Sequence, residues 1–344
     1  MTRTKKIPSG NKSIEDVARL AGVSITTVSR VINKLPTVKE KHRKSVLEAV
    51  KQLNFQPSVF AQRLATGRSN VVALVIPRYE GVFYSFYALE LIRGIGTLCE
   101  ALKLDLLLHL TDSHSVLNLK GAGGIIFSDI IGNQRQLEDV LSAGIPCVVI
   151  NHYLEDRDDI NCIAVDNRSG AEEAVNYLIS LGHKKIAHIT GDVVTQAAAW
   201  RFEGYQRALK KHNIEFREDY VFKTNYSRGQ ARQASENLIG MPDLERPTAV
   251  FVASDSMALE VMAVVRERGK EVPRDLSIVG FDDNPSGLYG PVALTTVRQP
   301  LIKMAEESVK LLNTLMNPKD KLKVSRILLP TELVIRESCR TLGS

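Results

Sequence analysis

Lys12 to Asn33 reads KSIEDVARLAGVSITTVSRVIN, and the order of its small, polar and β-branched residues predicts two short helices joined by a tight turn. The first helix is expected from about Ile14 to Leu20. Ser13 stands where a cap belongs, and Asp16 is spaced to complete an acidic variant of the capping box. Ala21-Gly22-Val23 supplies the turn, because Gly22 takes a positive φ that a side chain resists. Ser24 is placed to cap a second helix running through Ile32. Ala18, Ala21 and Gly22 allow the helices to cross closely, while Val17, Leu20, Val23, Val28 and Val31 are the expected core. That arrangement is a helix-turn-helix, whose second helix suits a DNA major groove.

An ordinary helical hairpin carries the same pattern, and charge separates the two. Up to position 68 there are 14 basic and 4 acidic residues, against 31 and 35 beyond it, in a 344-residue chain of net charge +6. All the excess positive charge therefore lies in the first fifth of the chain. This is the footprint of a nucleic-acid-binding head on an acidic body. After the turn motif, Thr37 to Leu53 is expected as a third helix, with Val46, Leu47, Val50 and Leu53 as its apolar stripe and Lys39, Lys41, Arg43 and Lys44 on its basic face.

The body is long enough for two cores. From Asn70 onward short apolar runs alternate with helical stretches. Strands are expected at 71–77, 104–110, 123–128, 146–151, 185–191, 248–254 and 276–282, with helical character at 170–181, 200–212 and 255–268. Strands that read as buried on both faces, with helical crossovers, imply parallel sheets. Ligands bind such sheets at the carboxyl ends of the strands. No run of 18 uncharged apolar residues appears, so a membrane partner is not expected. The basic opening MTRTKKIPSGNK is followed by no apolar signal segment, which makes a cytoplasmic location the expectation. Cys99, Cys147, Cys162 and Cys339 are too scattered for a metal site or a disulfide framework. No dinucleotide fingerprint, phosphate-binding loop or nucleophile elbow is present, and His109, His183 and His188 show no catalytic or metal spacing. Neither an enzyme nor a cofactor is expected.

IEDVARLAGVS-x-x-TVSRVIN, then VLEAVKQLNFQP, then a segment ending in LATGRSN, resembles the head of the lactose-repressor (LacI/GalR) family. The resemblance continues over nearly the whole chain. It implies an N-terminal all-α helix-turn-helix head with a hinge helix, followed by an α/β two-subdomain effector domain of periplasmic-binding-protein type with parallel sheets. The implied divisions are a DNA-binding domain at 1–56, a hinge at 57–68 and an effector and dimerisation domain at 69–344. Within the last, the N-subdomain is expected at about 69–162 and 293–328, and the C-subdomain at about 163–292 and 329–344. The chain would cross between them near 163, 293 and 328.

The resemblance further implies a regulator, expected to repress carbohydrate-use genes, that binds double-stranded palindromic operator DNA as a homodimer under the control of a small-molecule effector. A sugar or sugar phosphate is the expected effector. A nucleobase corepressor, a phosphoprotein partner, or a sugar-binding protein without a transcriptional role are the alternatives. Ile25, Thr26 and Arg30 fall at the family's base-reading positions. Arg can bond guanine through two donors, and Ile and Thr suit thymine methyl groups. Ser24, Thr27 and Ser29 are expected at phosphates, where they would set register, and Asn33, closing the helix, is either a phosphate contact or a C-terminal cap. Leu64 matches the leucine that wedges into the minor groove at the operator centre. In the cleft, Asp282 and Arg201 match an effector-binding carboxylate and guanidinium. Phe86, Tyr87 and Tyr226 match aromatic positions, and Asn151, Asp166 and Ser254 stand at strand ends, where they would either meet a ligand or cap the next helix.

Two departures stand out. Ser254-Asp255 replaces the family's usual Asn-Asp. The stretch TDSHSVLNLKGAGG (111–124) is abbreviated, leaving only about Val116–Lys120 for a helix that is normally complete. Changing Arg30 to Ala is expected to lower discrimination among operators by about 1–3 kcal/mol for the lost bidentate contact. Competition binding on base-substituted operators measures this, and unchanged specificity would exclude that role for Arg30.

Overall fold

The computed structural model describes residues 13–32, 36–55, 69–79, 81–118, 121–317 and 323–343. Asn33, Leu64 and the expected hinge helix lie outside them. The chain forms two compact units, residues 1–70 and 71–344.

The head is three helices: α1 (Ile14–Ala21), α2 (Ile25–Ile32) and α3 (Glu40–Leu53). Local chemistry sets the first two as the sequence predicts. Ser13 accepts from the Asp16 amide and Asp16 answers the Ser13 amide, closing the capping box. Gly22 ends α1 at φ 66°, in the left-handed region. The Thr27 amide donates to Ser24 Oγ at 3.2 Å at the start of α2. Val17, Ala18, Val28, Val31, Val46 and Ala49 form the buried core.

Two expected core residues are exposed: Leu20 at 49% and Leu47 at 54%. The helical period explains both. The core-facing stripe of α1 is Ile14, Val17, Ala18 and Ala21, and that of α3 is Val46, Ala49, Val50 and Leu53. Each follows the i, i+3, i+4, i+7 spacing, which leaves Leu20 and Leu47 just outside. The third helix also begins at Glu40, three residues after the expected Thr37. Residues 36–38 are spent in a turn, and the amides of His42 and Arg43 return to the Lys39 carbonyl at 3.0 and 3.1 Å.

The body has two lobes, each built on a six-stranded sheet. In the N-lobe the strands are β1 (Val71–Pro77), β2 (Asp105–Thr111), β3 (Gly124–Phe127), β4 (Cys147–Ile150), β5 (Asn161–Val165) and β11 (Arg326–Leu329), in the order β11-β5-β4-β3-β1-β2. Helices α4 (Phe86–Ala101), α5 (Gln134–Ser142) and α10 (Leu301–Met316) belong to this lobe. In the C-lobe the strands are β6 (Ile186–Ile189), β7 (Val221–Phe222), β8 (Ala249–Val252), β9 (Ser277–Asp282), β10 (Thr295–Arg298) and β12 (Glu332–Val334), in the order β12-β10-β9-β8-β6-β7. Helices α6 (Asn167–Ser180), α7 (Gln196–Lys211), α8 (Arg228–Gly240) and α9 (Asp255–Glu267) pack on it. All pairings are parallel among the described strands except β10 with β12, which is antiparallel and gives the C-lobe one mixed edge.

The chain crosses between lobes at Asp166, at Gln299-Pro300 and at Pro330-Thr331. Each crossing lies a few residues beyond the expected 163, 293 and 328, because β5, β10 and β11 complete their ladders before the chain leaves. Since β5 and β10 each hand over at a carboxyl end, the carboxyl ends of the two sheets face one another.

The abbreviated 111–124 link contains no helix among its described residues, contrary to the stub expected at Val116–Lys120. A hydrogen-bonded turn takes its place. The Asp112 carboxylate accepts from the His114 amide and the Ser115 hydroxyl, and Gln136 Nε2 donates to the carbonyls of Asp112 and Ser115 at 2.8 and 2.9 Å. Leu107 of β2, the edge strand of this sheet, is 41% exposed, where a strand buried on both faces was expected.

Candidate functional site

In the head, Ser24, Ile25, Thr26 and Arg30 lie on the exposed side of α2, while Thr27 and Ser29 are half-buried. Ser24 Oγ and Thr27 Oγ1 are 2.9 Å apart, so both hydroxyls have a partner within the helix start. Val28 and Val31 hold the opposite side of α2 in the core. An apolar residue, a threonine and an arginine are thus presented together at the surface of a helix fixed from behind.

In the body, the sequence-predicted polar residues gather at the facing strand ends. Arg201, on α7, is only 4% exposed. Its Nε donates to Asn167 Oδ1 at 2.8 Å and its Nη1 to the Ala253 carbonyl at 2.5 Å. The guanidinium lies 3.8 Å from the centre of the Phe281 ring and 3.8 Å from Asp282 Oδ1. Asp282 ends β9 and also accepts from Gln299 Nε2 at 2.7 Å. Burial pushes the Asp282 carboxyl up to about 6, against the opposing pull of Arg201 and Gln299. Asp255 is fully buried, and burial, with Asp282 nearby, raises its carboxyl well above the usual range. It accepts from Thr296 Oγ1 at 2.5 Å and from the Asn284 amide at 2.7 Å.

Tyr226 reaches the same region by lying against Gly191, where any β-carbon would collide with its ring. Asn151 donates to Asp129 at 3.3 Å at the end of the N-lobe sheet. Backbone strain is concentrated here as well. Of seven non-glycine residues with positive φ among those described, four are Asn151, Tyr226, Asp282 and Asp283. Such conformations cost free energy and cluster at binding sites.

The remaining residues serve the fold visibly. Asp166 caps α6 by accepting from the Ser169 amide, and Ser254 caps α9 by accepting from the Met257 amide. Tyr87 donates its hydroxyl to the Ser128 carbonyl at 2.7 Å, and Phe86 and Tyr87 pack on the N-lobe core. Gln299 escaped the sequence analysis because β10 was not among the expected strands, so its strand-end position was hidden. Its Oε1 is buried without a protein partner. An acidic acceptor, a forked donor, a primary amide and a ring together can hold a ligand rich in hydroxyl groups.

Comparison with known proteins agrees with this layout. Residues 13–58 match the model of bacterial regulatory proteins of the lacI family, and residues 175–339 match a periplasmic binding protein-like domain. The chain is 35% identical over 338 residues to the probable HTH-type transcriptional repressor ExuR of Bacillus subtilis (strain 168), covering 96% of this chain and 99% of the relative. It superposes on the lac repressor dimer bound to operator and the anti-inducer ONPF with a TM-score of 0.80 at 25% identity, covering 96% and 100%. The transcriptional regulator CelR in complex with cellobiose gives 0.70 at 28% identity, covering 95% and 99%.

The Asp282 carboxyl yields a signed pH dependence. Folded, it keeps its proton up to about 6, whereas its ordinary value is 3.8, so between these values the native state binds the extra proton and stability falls as pH rises. Relative to Asp282→Asn, the parent chain should lose stability on going from about pH 4 to about pH 7 in urea titrations. A difference that does not vary with pH would contradict a buried carboxyl at this position.

Proposed function

Since the chain belongs to the LacI family of bacterial regulatory proteins, we propose that it is a cytoplasmic transcriptional repressor whose grip on a palindromic operator is set by a carbohydrate held between the body lobes. The observation that carries the effector assignment is the buried Arg201–Asp282–Gln299 constellation at the facing strand ends. Asp282 offers two acceptor oxygens to sugar hydroxyls, Gln299 Oε1 adds another, and the Tyr226 ring offers a face to pack against a pyranose. Arg201 orients Asp282 and keeps donors towards the ligand. Asn151 forms the N-lobe side. Asp166 and Ser254 act chiefly as helix caps, and Phe86 and Tyr87 shape the wall.

On the DNA, Ile25, Thr26 and Arg30 read base edges, while Ser24, Thr27 and Ser29 set register at phosphates, with Asn33 and Leu64 assigned by resemblance alone. The head's positive charge supplies a salt-dependent, sequence-independent share of affinity. Head, hinge and body divide at the boundaries given above, and two copies are needed to cover both half-sites. The cellobiose complex among the similar structures favours a sugar over a nucleobase.

A thermal-shift screen of the full chain against neutral sugars, sugar phosphates and nucleobases tests the assignment. A sugar present at a hundred times its dissociation constant should stabilise the chain by about 2.7 kcal/mol, and Asp282→Ala should remove the shift. A shift produced only by nucleobases, or one that survives Asp282→Ala, would refute it.

A further inference from the structure

The first residue of α7, Gln196, reaches across to the N-lobe. Its Oε1 accepts from the Tyr153 amide at 2.6 Å, and its Nε2 donates to the Tyr153 carbonyl at 3.0 Å. One side chain thus occupies both backbone groups of one residue. Tyr153 lies in the loop between β4 and β5, so the two bonds join one lobe to the other. One turn further along α7, Trp200 meets the Tyr153 ring with centroids 6.2 Å apart and planes tilted by 55°. The Arg168 guanidinium lies 4.7 Å from the indole centre and is held by Glu203 at 2.7 Å. Tyr153 is therefore gripped by its backbone and its ring from a single helix face.

Glutamine suits this grip for a chemical reason. The site needs a donor and an acceptor side by side, which only an amide side chain supplies without charge. Asparagine is one methylene shorter. Glutamate offers acceptors on both arms and would set an oxygen against the Tyr153 carbonyl. The three covalent crossings also join the lobes; they fix a hinge but do not by themselves set how far the lobes close. Gln196 lies on the same helix as Arg201, so a ligand engaged by Arg201 and Asp282 acts on the helix that carries the grip.

We propose that Gln196, backed by Trp200, is an interlobe clasp on Tyr153 that sets the closure of the body and passes occupancy of the cleft from the C-lobe to the N-lobe. The second half of this statement rests on the cleft being the effector site; the clasp itself does not. A clasp of this kind changes the balance between two lobe arrangements, and a ligand acts on that balance only through its different affinity for them.

The test uses the full-length chain without ligand. Trp200 is its single tryptophan, so its emission reports the clasp directly. Gln196→Ala keeps a good helix former at the start of α7, and Gln196→Glu keeps the length while losing the donor. Both variants should speed hydrogen exchange at the Tyr153 amide by about tenfold or more, move Trp200 emission towards that of an exposed indole, and increase the radius of gyration in X-ray scattering. Unchanged exchange, emission and radius in the folded variants would overturn the clasp. Once a sugar ligand is in hand, Gln196→Ala should also reduce its effect on operator binding. A sugar that regulates the variant as it regulates the parent would overturn the transmitting role. Failure of every sugar to bind would remove the effector assignment while exchange and scattering still decide the clasp.

Discussion

A buried guanidinium without partners would cost several kcal/mol, and Arg201 sets the terms on which the body is built. Its partners come from separate elements: Asn167 at the start of α6, the Ala253 carbonyl after β8, and both Phe281 and Asp282 on β9. Satisfying this one cation ties the ends of two strands to the start of α6. Asp282 is consequently held buried, in a strained backbone conformation, beside a second buried acid, Asp255. Such an arrangement costs stability, and it persists because its surroundings determine it from several sides.

The head depends on a smaller set of forces. Its core holds only six buried apolar side chains among the described residues, so caps carry a large share of its definition. The Ser13–Asp16 box and the left-handed Gly22 fix where α1 starts and stops. The orientation of α2, and with it Ile25, Thr26 and Arg30, follows from Val28 and Val31 behind it.

Much of this was legible in the sequence where physics is local. Caps, turn glycine and the alternation of apolar runs with helical stretches located the first two head helices and the principal strands. What the sequence hid was set by tertiary context. Leu20 and Leu47 differ from their buried neighbours only by their angle around the helix. The strand β10 is four residues long and includes Arg298, so it gave no apolar run, and the strand-end role of Gln299 was lost with it. The same limit applies to Gln196 and Tyr153, which are 43 positions apart and meet only because the two lobes fold towards each other. Asp282 and Arg201 were found through family resemblance; their charge environment became readable only from burial.

Occupancy of the cleft and of the DNA must be coupled in both directions if one set of body conformations governs each. The most direct measurement is the operator dissociation constant with and without saturating sugar, paired with the sugar dissociation constant with and without saturating operator. Linkage requires the two ratios to be equal, and a two-state body predicts a common factor of about 5 to 150. Ratios indistinguishable from one, with both ligands bound, would contradict the account.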